Sequence, residues 1–371
     1  MVHFSGKARK MNHFFPFLRA KRAKKKSNSE WQYKSPLVYA LNPLIILELV
    51  GNVHFEAAMI FFFLLSVFIL EKSVNAIQDK IRDNVNVRET FKVFRTWELS
   101  RTWGTWGTLF AATAWSLSIS TKLLTIMLLP LLWRALGWQR SITFWVLVLV
   151  TSLLLFVPIY TDLFIPNILT SLKLYSNKFE FNASLFYIIQ GFFSWQTGWN
   201  KIQYITPYLT GFVILFILKT AFLNEIKEIS NFKFQISKWK KLSFNILKNQ
   251  IKYSIYLKFL NRNTIKELIN FNKPLILFNT ELFFESCLFV LMVYFACATT
   301  VHPWYAALPL ACSALTRWRF PMVWTFTIFL TYHGYTEGSS KHTESFILVA
   351  VEYLMVLGCF LYERQIDHRF D

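Results

Sequence analysis

The chain has 371 residues, of which 54% are hydrophobic and 16% are charged, and its formal net charge at pH 7 is +19. An ordinary soluble domain has about 25% charged residues, so a soluble fold of this composition would leave large apolar patches in water. The positive charge lies in short segments between apolar runs, which is the pattern of the positive-inside rule rather than of a nucleic-acid interface. We therefore expect an integral membrane protein that contacts membrane lipids and has no nucleic-acid partner.

The apolar runs predict an all-α, polytopic transmembrane helical bundle of about ten spans, because crossing a bilayer takes about 20 apolar residues. The predicted spans are 37–50, 57–71, 104–119, 122–133, 142–165, 206–223, 275–298, 304–316, 319–335 and 345–362. The basic segments are Lys7–Lys34, Lys72–Arg101, Arg134–Arg140, Lys227–Lys273, Arg317–Arg319 and Arg364–Arg369. They all fall on one side of the bundle when both termini are cytoplasmic, which fixes the predicted orientation.

This threading divides the chain into four regions. Residues 1–36 are predicted to be a basic cytoplasmic leader, and 224–274 a basic, amphipathic cytoplasmic insert that suits anionic headgroups. A role of the insert in binding a partner remains an alternative. The transmembrane regions are 37–223, with an outer loop at 166–205, and 275–371, which ends in a short cytoplasmic C-terminus. The outer loop is rich in aromatic residues and is predicted to contain a short interfacial helix.

A first group of polar residues lies where the first two predicted spans meet on the outer side. A proline breaks the helix before Glu48, and Gly51-Asn52 makes a turn. The turn lets Glu48, His54 and Glu56 converge near the outer surface. Ionisable residues at membrane depth are costly and mark candidate functional sites; a simple interfacial turn is the competing interpretation.

Further polar groups stand at predicted outer helix ends: His302 with Trp304 and Tyr305, Glu180 with Asn182, and Lys122. Each also has a simpler interpretation. A lone lysine at a helix end commonly snorkels to the interface, and His302 can belong to an interfacial turn. Asn182 begins a glycosylation sequon, a pattern that is frequent by chance.

Other reactive residue types lie inside predicted helices. Glu281, Glu285 and Glu352 are expected to be protonated or hydrogen-bonded there, with either a structural or a functional role. The four cysteines lack metal-type spacing, and nothing in the sequence supports a divalent metal.

An outer pocket with imidazole, ammonium and carboxylate groups suits a lipid-linked phosphate substrate. Sugar transfer from such a donor requires a base to take the proton of the acceptor hydroxyl. It also requires cationic or hydrogen-bonding groups that stabilise the departing phosphate. A groove between membrane helices would hold the lipid tail.

Four stretches resemble, in order, the bacterial polytopic mannosyltransferase-like proteins of the GT-C glycosyltransferase superfamily. They are LNPLIILELVGNVHFEAAMIFFF (41–63), TKLLTIMLLPLL (121–132), KFEFNASLFYIIQ (178–190) and TVHPWYAALPLACSALTRWRFPMVWTF (300–326). The resemblance implies an inverting transferase that uses a polyprenyl-phosphate sugar, often mannose, on the periplasmic face of the bacterial inner membrane. The acceptor would be a glycan, a lipid or a protein, and no cofactor is implied.

On this resemblance, the site residues are His54 and Glu56 for catalysis, and Lys122, Glu180, Asn182, His302, Trp304 and Tyr305 for substrate binding. Members of the superfamily carry their catalytic acidic residue in the first outer loop. In this chain the first outer loop, 51–56, resembles a later loop of the family, so the chain is expected to lack the family's N-terminal helices.

Two other functions compete with the transferase. A lipid-linked oligosaccharide flippase or polymerase-like protein would carry charged residues through the depth of its bundle, whereas in this sequence they gather at one face. A noncatalytic membrane subunit would need none of the polar groups for chemistry.

Overall fold

A computed structural model describes residues 36–83, 106–197, 202–223, 278–334 and 344–367. Within these ranges the chain is almost entirely helical and forms no β-strand. An isolated parallel bridge joins Phe181 to Thr300. The predicted insert and all but the last residue of the predicted leader lie outside the described residues.

Helices of three kinds follow one another along the described ranges. In chain order, the α-helices are α1 Glu56–Asp83, α2 Trp106–Thr121, α3 Leu132–Leu136, α4 Trp138–Phe156, α5 Phe164–Lys178, α6 Leu185–Thr197, α7 Ile202–Leu218, α8 Thr280–Cys297, α9 Ala307–Ala314, α10 Phe320–Thr327 and α11 Phe346–Asp367. The 3-10 helices are Leu123–Leu131, Val157–Ile159, Pro303–Ala306 and Ile328–Gly334, and the π-helices are Ile45–Gly51 and Lys219–Leu223.

Five of the described segments are long and apolar enough to cross a membrane. They are Glu56–Val74, Trp138–Ile159, Ile202–Phe222, Thr280–Cys297 and Phe346–Ile366. These segments support the expectation of a helical integral membrane protein. The other predicted spans coincide with shorter helices, so the count of about ten spans stays a prediction.

The predicted span 122–133 illustrates why these elements are short. Pro130 has no N–H and interrupts regular α-helical bonding, and the segment winds as the 3-10 helix Leu123–Leu131 followed by the five-residue α3. Gly137 then ends α3 with a φ of 78°, a left-handed conformation that glycine adopts readily, and α4 begins directly after it. The apolar run is therefore divided into three elements.

The predicted outer loop 166–205 is mostly helical. Helices α5 and α6 and the start of α7 occupy it, where the sequence predicted one short helix. Pro166 lies in the first turn of α5, where its missing N–H costs no hydrogen bond.

The described residues belong to two compact units. The first unit comprises the described parts of Met1–Ala57, Leu169–Leu209 and Cys287–Asp371, and the second those of Ala58–Ile168 and Thr210–Ser286.

In the second unit, serine hydroxyls join helix α2 to its neighbours. Ser118 Oγ donates to the Met59 carbonyl of α1 at 2.8 Å, and Ser66 Oγ of α1 donates to the Ala111 carbonyl of α2 at 2.7 Å. Trp115 of α2 is fully buried, with its ring 5.1 Å from that of Phe63. Small hydroxylated residues allow membrane helices to approach closely and to share hydrogen bonds.

The Ser118 bond provides a test of this packing. Ser118→Ala is expected to lower the free energy of unfolding by about 0.6 to 1.7 kcal/mol. It removes the bond to the Met59 carbonyl of α1 together with the 3.1 Å hydrogen bond between Ser118 Oγ and Thr125 Oγ1. Ser73→Ala is a matched control, since Ser73 Oγ bonds only the Ile69 carbonyl of its own helix among the contacts described. Unfolding by sodium dodecyl sulfate in mixed micelles measures both variants. Equal stability of the two would show that the interhelical bond contributes nothing.

Helix α4 shows the surface expected of a lipid-facing span. Ser141, Phe144 and Val148 are buried on the side that packs against α2. The exposed large apolar side chains of α4 are Trp138, Ile142, Val146, Leu149, Val150, Leu153 and Leu154. An apolar face of this extent is stable in a bilayer and costly in water.

In the first unit, helix α9 is buried along its whole length and α10 packs against α11. The Glu363 carboxyl group of α11 accepts the Arg319 backbone N–H at 3.0 Å, immediately before α10 begins. This bond satisfies one of the backbone donors that every helix leaves unpaired at its N-terminus.

Candidate functional site

The candidate site lies in the first unit and begins with an irregular helix. Asn42 accepts the Leu44 N–H through Oδ1 and donates from Nδ2 to Thr325 Oγ1, both at 2.9 Å. The chain then winds as the π-helix Ile45–Gly51, a form that is rare and frequent at functional sites. Val53 follows with a φ of 54°, which is unfavourable for a β-branched residue and is a strain that clusters at active sites.

Glu48 is the centre of a hydrogen-bonded group. Its side chain is buried, with a relative exposure of 2%. Tyr332 donates its hydroxyl to Oε1, and Asn52 donates Nδ2 to Oε2 at 3.0 Å. His54 Nε2 lies 3.3 Å from the same Oε2 atom. Glu48 therefore holds the imidazole of His54 by one nitrogen.

The rings of His54, Trp304 and His302 form a stack. The His54 and Trp304 ring centroids are 3.9 Å apart with an interplanar angle of 22°, and those of Trp304 and His302 are 4.6 Å apart with an angle of 13°. His302 also lies 5.0 Å from the Phe181 ring and 5.4 Å from the Tyr305 ring. We call Glu48, Asn52, His54, His302, Trp304 and Tyr332 the histidine cluster.

The imidazole of His54 has two neighbours in the histidine cluster that can stabilise a positive charge formed on it. The Glu48 carboxyl group lies at one edge of the imidazole, and the π-face of Trp304 covers one side of it. An anionic partner stabilises an imidazolium, and a cation over an indole gains about 0.5 to 2 kcal/mol. His54 keeps 27% of its side chain exposed, so a substrate can reach it.

Glu56, predicted to be catalytic with His54, is buried in the first turn of α1. A carboxyl group at this position interacts favourably with the helix dipole. The Glu48 carboxyl group forms an ion pair with His54. Lys122 belongs to the second unit, where it is half-buried with extended backbone immediately before the 3-10 helix Leu123–Leu131.

Glu180 and Asn182 lie in a segment, residues 179–184, that we call the Asn182 segment. Glu180 accepts two hydrogen bonds from Gln190 Nε2, at 3.0 and 3.1 Å. Asn182 is fully buried, so its side chain is not part of an exposed loop surface in the folded chain.

A second polar cluster surrounds Asn182. Its members, which we call the carboxyl cluster, are Asn182, Tyr187, Trp324, Glu344, Glu352 and Tyr353. Tyr187 donates its hydroxyl to Glu344 Oε2. Burial and this bond raise the pKa of Tyr187 well above its ordinary value, so the phenol stays a donor at neutral pH.

The structure places His54, His302, Trp304 and Tyr305 close together, and it groups Glu48 with them, the carboxyl group that the sequence had placed near His54. Asn52 and Tyr332, which the sequence analysis did not single out, donate to Glu48, and the carboxyl cluster is a separate group around Asn182. Glu48 and Asn52 had a detectable signal, since they stand four residues apart beside a predicted turn. The tyrosines had none.

In the described part of the chain, no three or more His, Cys, Asp or Glu side chains are grouped so that they could hold a metal ion. Comparison of the chain with family models, with curated proteins and with solved structures finds no match.

Proposed function

We propose that the chain is a membrane glycosyltransferase of the GT-C type that moves a sugar, in the first instance mannose, from a polyprenyl-phosphate donor to an acceptor on the periplasmic face of the bacterial inner membrane. The observation that carries the proposal is the placement of His54 between the Glu48 carboxyl group and the Trp304 ring. The ordered resemblance of four stretches to the GT-C superfamily supplies the substrate class.

His54 is the general base in this proposal. Its Nε2 is engaged by Glu48 Oε2 at 3.3 Å, so the proton of the neutral ring resides on Nε2 and the lone pair on Nδ1. Nδ1 takes the proton of the acceptor hydroxyl while the acceptor oxygen bonds to the anomeric carbon. The bond between that carbon and the phosphate oxygen breaks, and the phosphate leaves with the electron pair. Glu48 and Trp304 stabilise the imidazolium that results.

His302 is assigned to the departing phosphate. Its ring stacks on that of Trp304, as the ring of His54 does, with centroid distances of 4.6 and 3.9 Å. This arrangement allows one imidazole to accept a proton while the other donates a hydrogen bond to the leaving group. Lys122 lies in the second unit, and its role in binding phosphate stays a prediction of the resemblance.

The test is transfer of label from a donor by membranes that contain the expressed chain. Membranes of a bacterial host with and without the chain are given radiolabelled polyprenyl-phosphate mannose, and the label that leaves the donor lipid is counted. This readout requires no knowledge of the acceptor. Release above the background of the host supports the transferase. Release at background, with the chain inserted and folded, would instead favour the noncatalytic subunit.

A further inference from the structure

One residue connects the His302 turn to the last helix of the chain. Asn182 makes three hydrogen bonds to residues at or near the start of α11. Its backbone N–H donates to Glu344 Oε1 at 2.6 Å, its Nδ2 donates to Glu352 Oε1 at 3.1 Å, and its carbonyl accepts the Tyr353 hydroxyl at 2.8 Å. Backbone and side chain are thus both used to attach the Asn182 segment to one helix.

The backbone of Asn182 is held in an unfavourable conformation. Its φ is 49°, in the left-handed region, which costs a residue with a side chain about 1 kcal/mol or more and which asparagine tolerates better than most. Such a conformation persists only where the surroundings impose it. In this segment the three bonds to Glu344, Glu352 and Tyr353 impose it, and the turn it creates directs the neighbouring residue towards His302.

That neighbour is Phe181, which pairs with the strand-like residues before His302. The Phe181 N–H donates to the Thr299 carbonyl at 3.0 Å, and the Val301 N–H donates to the Phe181 carbonyl at 2.8 Å. The Phe181 ring then lies 5.0 Å from the imidazole of His302. The Asn182 segment is therefore bonded on one side to α11 and on the other to the backbone that carries His302.

Two buried oxygen atoms beside the bond between Asn182 and Glu352 could accept further hydrogen bonds. Glu352 is fully buried, and its Oε1 already accepts Trp324 Nε1 at 2.7 Å in addition to Asn182. Among the described residues, Glu352 Oε2 and Asn182 Oδ1 are buried and have no hydrogen-bond partner. Buried polar atoms without a protein partner are uncommon.

We infer that Asn182 is a positioning residue that holds His302 in the histidine cluster by bonding the Asn182 segment to α11. Its contact with Glu352 fixes the turn, and Phe181 transmits the position to His302. The inference rests on the proposed function only for the expected effect of Asn182 on the rate of sugar transfer. The position of residue 302 can be measured without enzyme activity.

Asn182→Gly isolates the side chain. Glycine adopts a φ of 49° without strain and keeps both backbone bonds, so only the bond from Nδ2 to Glu352 is lost. In a His302→Cys background, reaction of the new thiol with a small methanethiosulfonate reagent reports the position of residue 302. Loss of a hydrogen bond to a carboxyl group is expected to raise the rate of that reaction about tenfold.

Two controls separate local release from unfolding. The native thiols Cys287 and Cys312 are fully buried and should stay unreactive in both backgrounds. Glu352→Gln retains the acceptor oxygen and adds an amide N–H, so it should leave the reactivity of the thiol at position 302 within about twofold of the parent, while Glu352→Leu should raise it as Asn182→Gly does. An unchanged rate in Asn182→Gly, or a rise at position 302 accompanied by labelling of Cys312, would overturn the inference.

Transfer assays of Asn182→Gly and Glu352→Gln, with His302 retained, distinguish the two proposals. If Asn182→Gly loses about tenfold in kcat and Glu352→Gln does not, the position of His302 affects the rate of transfer. If the native chain transfers sugar but Asn182→Gly does not change the reactivity of the thiol at position 302, the transferase proposal stands and the positioning role is wrong. If Asn182→Gly changes the thiol reactivity but no form of the chain transfers sugar, the positioning role stands and the transferase proposal is wrong.

Discussion

Replacement of His54 by alanine is expected to lower the rate of sugar transfer by about 10²- to 10⁴-fold, the range typical for the loss of a general base. The physical reason is the setting of the imidazole. Glu48 Oε2 lies 3.3 Å from Nε2, and the Trp304 ring lies 3.9 Å away. Both stabilise the protonated ring that the reaction forms, and alanine offers no site for the proton. Release of label from polyprenyl-phosphate mannose measures the loss.

His333 provides the matched control for this experiment. It is an exposed histidine in the 3-10 helix Ile328–Gly334, in the same unit as the histidine cluster. His333→Ala is expected to transfer sugar at the native rate, because the base of the proposed reaction is His54. If the His54→Ala chain transferred sugar as fast as the His333→Ala chain, His54 would be removed from the reaction.

Glu48→Gln is expected to lower transfer by about 10- to 100-fold while the chain still inserts. Glutamine has nearly the same shape, but its amide group brings donors toward the Tyr332 hydroxyl, Asn52 Nδ2 and His54 Nε2, which are donors themselves. A hydrogen bond to a charged group contributes about 1.5 to 3 kcal/mol, which corresponds to the expected loss in rate. The imidazolium also loses its anionic partner.

Two companion variants make the Glu48 experiment decisive. Tyr332→Phe removes one of the donors to Glu48 and leaves its contact with His54, so transfer should fall by less than about tenfold. Glu56→Gln tests the carboxyl group that the sequence had assigned to catalysis. A larger loss in Glu56→Gln than in Glu48→Gln would return the catalytic role to Glu56.

The sequence was sufficient to predict the class of the protein and to bring some of the candidate residues together. Composition and charge distribution predicted an all-α membrane protein, and five apolar helices support that class. The meeting of His54 with His302, Trp304 and Tyr305 was predicted from residues about 250 positions apart, on the ordered resemblance and the predicted outer turns. Both turns depend on local signals, proline and glycine, that can be recognised in a single sequence.

What remained beyond prediction depends on contacts between distant segments. The turn placed Glu48 near His54, but the hydrogen bond from Tyr332 to Glu48 could not be predicted, because Tyr332 comes from another part of the chain. Asn182 is buried because α11 supplies its partners, whereas its surroundings in sequence resemble an exposed loop. Hydropathy and spacing carry no information on the contacts of Tyr332 or of Asn182.

The stack of rings limits how the proposed site can recognise a sugar. Proteins often hold a pyranose by laying its C–H face flat on an aromatic ring, but two imidazoles already stack on the Trp304 indole. In the proposed site, selection of the donor would then depend more on directed contacts to individual hydroxyl groups. Sites of that kind discriminate strongly, because an analogue that lacks one hydroxyl leaves a protein group unpaired. The stack thus favours a transferase that selects its sugar by the configuration of the hydroxyl groups rather than by the hydrophobicity of the pyranose face.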